Sequence, residues 1–373
     1  MLTLRRAMHS LPLSLVFLLL VPTSTVLGEP LPYRPFRPNF TSVEPAPYRR
    51  DLERRADDSY RTLSTASNPD WMKKLPDTTP LASISIPGTH ESMALFGGDL
   101  TQCQENFGAS ADTLVAQLNA GIRMFDIRLR IETNNKFVIH HGAVYQNANF
   151  DDVLNKIDGF LAAHPTEAVM MRVKQECTGE IGSCTDVSGQ ASFVDIFDMY
   201  RDNSPAAQRR WWQPSVSRSS AAANPNLGDI RGKIVLAVIN GPQGGRTNQY
   251  GLAQFSGWND GNSAFVQDNY NVPNTGAIAT KRDQVRRFLD LTNSADQTKI
   301  YVNFCSGASV FAWPDDVAGG AFGTQGVNPF LLIYLGQGTD VHAEVHRTGV
   351  MMMDFPGGVL VNKILSFNNR LAA

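Results

Sequence analysis

The 373-residue sequence has no surplus of charge of either sign: 33 basic and 35 acidic residues leave a formal net charge of -2. That balance offers no overall basic field for nucleic acid and no acidic tail. Cysteine is scarce. Four residues are too few for a disulfide-dense miniature scaffold, and no close-spaced pair or histidine-rich tract marks a metal site. No GxGxxG follows the first apolar run, as a nucleotide-binding doubly wound sheet would want. Beyond residue 28 no apolar run reaches the ~20 residues that span a bilayer, and the polar stretch 367–373 is no lipid-anchor signal. With 42% hydrophobic and 18% charged residues, the composition suits a soluble globular protein with a sizeable core.

The first recognisable feature is a secretory pattern over residues 1–28. Arg5 and Arg6 precede an apolar run at 11–21, and Val26 and Gly28 flank a plausible cleavage point. A proline-rich and charged leader or pro-segment is expected over 29–77. It contains the glycosylation acceptor Asn39-Phe40-Thr41 and the dibasic pairs Arg49-Arg50 and Arg54-Arg55. Residues 48–63 read equally as a solvated charged helix. A secreted chain is permitted disulfides. Cys177 and Cys184, seven residues apart in a Gly/Ser/Thr loop, form a good local pair, while Cys103 and Cys305 either bridge or stay free.

Downstream, strand-like runs recur at 81–86, 122–128, 137–141, 168–174, 233–239, 265–270, 299–304 and 350–354. Helical patterns separate some of them. Phe150, Val153, Leu154, Ile157, Phe160 and Leu161 share one helical face, with Asn149 as N-cap. Two more helices are expected near 279–291 and 359–371. This alternation predicts a parallel sheet, and its extent of roughly 290 residues suits a single (β/α)8 barrel spanning 78–373, for which ~250 is typical. The polar stretch 188–228 reads as an insertion or long loop.

Barrel enzymes place chemistry at the C-terminal ends of their strands. Those ends carry His90 and Glu91, then Asp126 and Arg128, the pair His140-His141, Lys174, Asp268 and Tyr270, and finally Asp354. Alternation sends Asp126, Arg128 and Arg130 to one strand face. Inward-facing polar groups in a covered barrel need hydrogen-bonding or functional partners. Two histidines supply a base and an acid near neutral pH, arginine binds phosphate, and a carboxylate orients an imidazole. Together they suit metal-free phosphodiester cleavage.

The runs SISIPGTHES, GIRMFDIRLR and FVIHHG, in this order, resemble the core of the bacterial-type phosphatidylinositol-specific phospholipases C, the X-domain family. So do the later segments 226–235, 266–270 and 301–304. The resemblance implies a distorted TIM barrel without a metal cofactor, acting as a monomer on a phospholipid through transient membrane contact. It implies His90 as general base paired with Asp354, and Arg128 as phosphate ligand, in the role calcium has in larger enzymes of the type. It further implies Asp126 as the holder of Arg128, His141 as general acid, and Glu91 as its helper where the family usually has aspartate. Lys174, Asp268 and Tyr270 match substrate-pocket positions. The family's inositol-contacting arginine falls near Ile239, which cannot replace its hydrogen bonds. Phe255 and Trp258 are expected as a membrane-facing rim, with Met93, Leu95 and Phe96 as further candidates. The products implied are diacylglycerol and inositol 1,2-cyclic phosphate. Rival readings are a barrel phosphodiesterase for another head group, such as a glycerophosphodiester, and a non-catalytic module that binds lipid or glycan head groups.

Overall fold

A computed structural model describes residues 58–108, 111–177, 184–218, 221–241, 250–336 and 345–372. The expected secretory segment, Asn39 and the dibasic pairs lie outside them.

The sheet is built from β1 (Ile86–Thr89), β2 (Met124–Glu132), β3 (Lys136–His141), β4 (Val144–Asn149), β5 (Val169–Gln175), β6 (Ile234–Asn240), β7 (Val266–Gln267), β8 (Val302–Phe304) and β9 (Val350–Met353). Seven run parallel in the order β6-β5-β2-β1-β9-β8-β7. Chain neighbours lie side by side and β9 returns to β1, which is the order of a TIM-type barrel. The barrel is distorted. Among the described residues no ladder joins β6 to β7. A loop fills that gap: the Leu252 amide donates to the Ala237 carbonyl at 2.9 Å. The Gln254 side chain serves Ile300 as a strand would, donating to its carbonyl at 2.7 Å and accepting from its amide at 3.0 Å.

Several expected boundaries move. Residues 81–83 are a 3-10 turn, and the first strand starts at Ile86. The 137–141 run is not a barrel strand. It pairs antiparallel with β2 and folds into a hairpin with β4. The folded domain also begins before residue 78, because Met72 and Leu75 are buried in the apolar cluster that seals the barrel bottom. The stretch 188–228, expected as an insertion or long loop, contains the helix Phe193–Asn203, whose Phe193, Phe197 and Tyr200 join the core.

The helical shell follows the sequence more closely. The helix α1 (Asp112–Ala120) precedes β2. In α2 (Phe150–Ala163) the predicted apolar face is buried, and Asn149 and Asp152 cap it reciprocally at 2.9 Å each way. The later helices run Ile278–Ser294, Val327–Gly336 and Gly358–Ser366.

Inside the barrel, residues of alternate parity form tiers. Ile86, Val302 and Val350 are lowest, followed by Met124, Met170, Met352 and Phe304. Gly88 leaves room for this methionine tier, since a Cβ there would lie 2.7 Å from the Met352 sulfur. One step higher the lumen turns polar with Asp126, Arg128, Arg172, Lys174 and Asn240. His90 and Asp354 directly follow β1 and β9.

Candidate active site

Two histidine–carboxylate pairs flank one arginine at the barrel mouth. His90 is 3% exposed, and its Nδ1 lies 2.9 Å from Asp354 Oδ1. Its Nε2 lies 3.3 Å from Arg128 Nη2, a contact in which arginine can only donate, so it is made by the neutral ring with its proton on Nδ1. Burial works against charging His90, but the Asp354 and Glu91 carboxylates raise its pKa above the ordinary imidazole value. His141 makes its contacts through Nδ1, to Glu91 Oε2 at 2.8 Å and to the Thr101 carbonyl. Burial again opposes the charge, and Glu91 outweighs it, pushing His141 up to about 9.

Arg128 is the hub. Its Nε and Nη2 reach Asp126 at 3.0 and 2.9 Å, and its Nη1 reaches Glu91 and Glu176 at 3.1 Å each. The guanidinium thus stands among three carboxylates, where a divalent cation would otherwise find hard oxygen ligands. Asp126 is held in turn by the Glu91 amide at 3.1 Å, and its own amide donates to Ser92 Oγ at 2.9 Å. Burial would raise the Asp126 carboxyl, yet Arg128 and Arg172 bring it down to about 2. Glu91 and Phe355, the residues beside His90 and Asp354, both have left-handed φ, 40° and 43°. Such backbone strain is commonly held at functional sites.

Residues 84–238, from β1 through most of β6, match the family described as phosphatidylinositol-specific phospholipase C, X domain. The chain thus contains a segment similar to that X domain. The match takes in His90, Asp126, Arg128, His141 and Lys174, while Asp354 lies beyond it. The chain is 29% identical over 310 residues to a 1-phosphatidylinositol phosphodiesterase of Listeria monocytogenes, covering 82% of this chain and 86% of that protein. The solved phosphatidylinositol-specific phospholipase C of the same organism superposes with a TM-score of 0.60 at 26% identity, over 81% of this chain and 99% of that one. A phosphatidylinositol-specific phospholipase C from Staphylococcus aureus, solved in connection with its membrane binding, gives 0.61 at 25% identity, over 82% and 99%.

The remaining expected site residues fall at varied places around the barrel. Lys174 Nζ lies 2.8 Å from Asp260 Oδ2. The Tyr270 ring centre lies 5.6 Å from that of His90, and the side chain is 37% exposed. Asp268 faces the buried Lys281, on which its charge acts. His140 turns Nδ1 to the Gly142 carbonyl at 3.1 Å, away from the two pairs. The Cys177–Cys184 disulfide is present, and Cys103 and Cys305 are unbridged and buried.

Two expectations are corrected. Phe255 and Trp258 form no rim. Each is 1% exposed, and Trp258 lies under the Arg172 guanidinium at 4.8 Å, closing the gap beside β6. Met93 and Leu95 are buried as well. Exposed apolar side chains lie elsewhere, among them Val310, Phe311 and Trp313 after β8 and Phe322 on the tip of the small hairpin 320–325. Ile239, in turn, does not face the lumen. The β5–β6 ladder slips by one residue after Met171, so Arg172 pairs with Val238. Val238 therefore joins the inner cluster and Ile239 the outer one.

Three polar residues of the mouth carried no distinct sequence signal. Glu176 is fully buried and holds both Arg128 and the Gly142 amide, the latter at 2.7 Å. Arg172, also fully buried, donates to Asn240 at 2.7 Å and to Asp260 at 2.5 Å. A charged side chain in mid-strand with a lumen direction was the only available hint for Arg172, and Asp260 sits in a loop without any pattern.

Proposed function

We propose that the protein is a secreted, monomeric, metal-independent phosphodiesterase. It cleaves phosphatidylinositol-type lipids to diacylglycerol and inositol 1,2-cyclic phosphate. The observation that carries this reading is the placement of Arg128 between the His90–Asp354 and His141–Glu91 pairs.

The chemistry follows from the geometry. His90 Nε2 takes the proton of the inositol 2-hydroxyl, and Asp354 stabilises the resulting imidazolium. The freed oxygen bonds to phosphorus, which Arg128 neutralises. The bond to the diacylglycerol oxygen breaks, and His141, protonated at neutral pH, supplies its proton. Arg128 provides the positive charge that a metal would otherwise bring. Arg172, Lys174 and Asp260 form the adjoining wall of the mouth, suited to hydroxyl-rich head groups, and Tyr270 offers a ring beside His90.

Membrane contact is assigned to Val310, Phe311, Trp313 and Phe322, exposed apolar groups in the segments that follow β8. Secretion is supported by the apolar run at 11–21 and by the disulfide, which suits an oxidising compartment. The test is release of water-soluble phosphate product from a panel of defined phospholipids, with and without EDTA. Cleavage of phosphatidylinositol that survives EDTA is expected. Strict calcium dependence, or preference for a glycerophosphodiester, would overturn the proposal.

A further inference from the structure

One side chain touches both histidine–carboxylate pairs and has no part in the proposed reaction. Cys103 is fully buried and unbridged. Its amide donates to the Ala94 carbonyl and its carbonyl accepts from the Phe355 amide, each at 2.9 Å. The residue is thereby pinned between the segment after β1 and the segment after β9. Its Sγ lies 3.8 Å from Glu91 Oε2. A ring nitrogen of His90, the Cys103 sulfur and an Asp354 oxygen all lie within 4.8 Å of one another.

A separate observation points to a ligand. Asp354 is 1% exposed, its Oδ1 holds His90, and its Oδ2 is buried without a hydrogen-bond partner. A buried carboxylate oxygen left unpaired costs free energy that a bound cation would recover.

We propose that Cys103, His90 and Asp354, with water as fourth ligand, bind a thiophilic divalent cation such as Zn2+, and that its binding switches the catalytic centre off. Zinc bonds to S, N and O run about 2.0–2.3 Å, so a tetrahedral site has edges of about 3.3–3.8 Å and requires these atoms to draw together by about 1 Å. Binding converts Cys–SH and M2+ into Cys–S–M+ and one proton released to water, while the His90 ring proton moves from Nδ1 to Nε2, giving up the contact with Arg128 and turning toward Glu91 Oε1 at 3.6 Å. The new thiolate and the Asp354 carboxylate neutralise the cation. Arg128 repels it on the Nε2 side of His90, so it enters on the Nδ1 side, where Asp354 stands. Hard cations such as Ca2+ and Mg2+ have no preference for sulfur, and the site discriminates against them. A metal-bound His90 can no longer accept a proton.

The loss of catalysis rests on the function proposed above, whereas cation binding does not. The experiment therefore reads both. Cd2+ titrated into the full chain should raise one thiolate-to-cadmium charge-transfer band per molecule. The band should vanish in Cys103→Ser and persist in Cys305→Ser. In parallel, micromolar Zn2+ should lower phosphatidylinositol cleavage by about 10-fold or more, with EDTA restoring it and Ca2+ having no effect. Cys103→Ser should keep its uninhibited rate within about two-fold and need roughly 10-fold more Zn2+ for the same inhibition. Cys103→Ala is the second variant should serine disturb packing. No band, or a band that survives in both Cys103 variants, overturns the site. Equal zinc sensitivity of wild type and both variants overturns the switch. A Cys103-dependent band in a protein that cleaves no lipid supports the metal site and refutes the proposed reaction instead.

Discussion

Arg123 lies just before β2 and Arg128 in its middle, five residues apart, and both are buried among acceptors. At the barrel bottom, Arg123 reaches Glu167 at 2.8 Å and the carbonyls of Leu118, Ile122 and Pro69 at 2.7, 2.9 and 2.8 Å, with Phe160 stacked at 4.8 Å. Those partners are mostly backbone, and they tie the segments around Pro69, Leu118 and Ile122 together at the barrel floor. At the mouth, Arg128 meets three carboxylates and a histidine, all of them side chains. Side-chain carboxylates can re-pair when an anion arrives, and a neighbouring imidazole can move a proton. A buried charge alone is thus no sign of catalysis. What separates the two arginines is whether their partners can change protonation or position.

The comparison can be tested by breaking each end. The largest effect belongs to the histidines. His90→Ala and His141→Ala should each lower phosphatidylinositol turnover per folded molecule by ~10²–10⁴-fold. A turnover close to wild type in either would refute the acid–base assignment. Next come the arginines themselves. Arg128→Lys keeps the charge and loses the planar fork, and should cost ~10²-fold in kcat/KM. Arg123→Lys should leave activity per folded molecule unchanged and lower unfolding stability by about 2 kcal/mol, read by urea titration. Similar losses of activity in the two variants would erase the distinction.

A smaller effect sharpens the electrostatic side. His141 is raised to about 9 by Glu91, and as an acid it must be protonated. Activity should therefore fall as pH rises through about 9. The Glu91–His141 pair also stabilises the fold fully below pH ~6.5, and that contribution is lost as pH rises through about 9. Glu91→Gln removes the carboxylate charge and should move the alkaline limb of the pH–rate profile down by about one unit. An unmoved limb would assign it to another group. The smallest expected effect is at the rim. Phe311→Ser and Phe322→Ser should each weaken binding to phosphatidylinositol-containing vesicles by roughly 3–10-fold while leaving cleavage of a soluble substrate analogue intact.

Much of the site is readable from strand alternation, because a period of two needs only local sequence. It places Asp126 and Arg128 on one face, and the strand ends supply His90 and Asp354. Counting fails where the ladder is irregular. The slip after Met171 turns Ile239 outward, although even alternation from Val235 would point it inward. Burial in loops is not readable in the same way. Phe255 and Trp258 stand in a Gly/Ser/Asn-rich segment that looks exposed, yet the unclosed edge between β6 and β7 needs covering, and these two rings provide it.

The sequence by itself determined the repeating strand-and-helix units, the capped helix at 150–163 and the position of His90 at a strand end, since these depend on neighbours a few residues apart. Tertiary structure alone decided that Glu176 holds Arg128, that Cys103 lies between the two pairs, and that Ile239 belongs to the outer core. Each of those depends on which strands lie side by side and in what register. That is settled by packing between segments tens to hundreds of residues apart, and no local pattern records it.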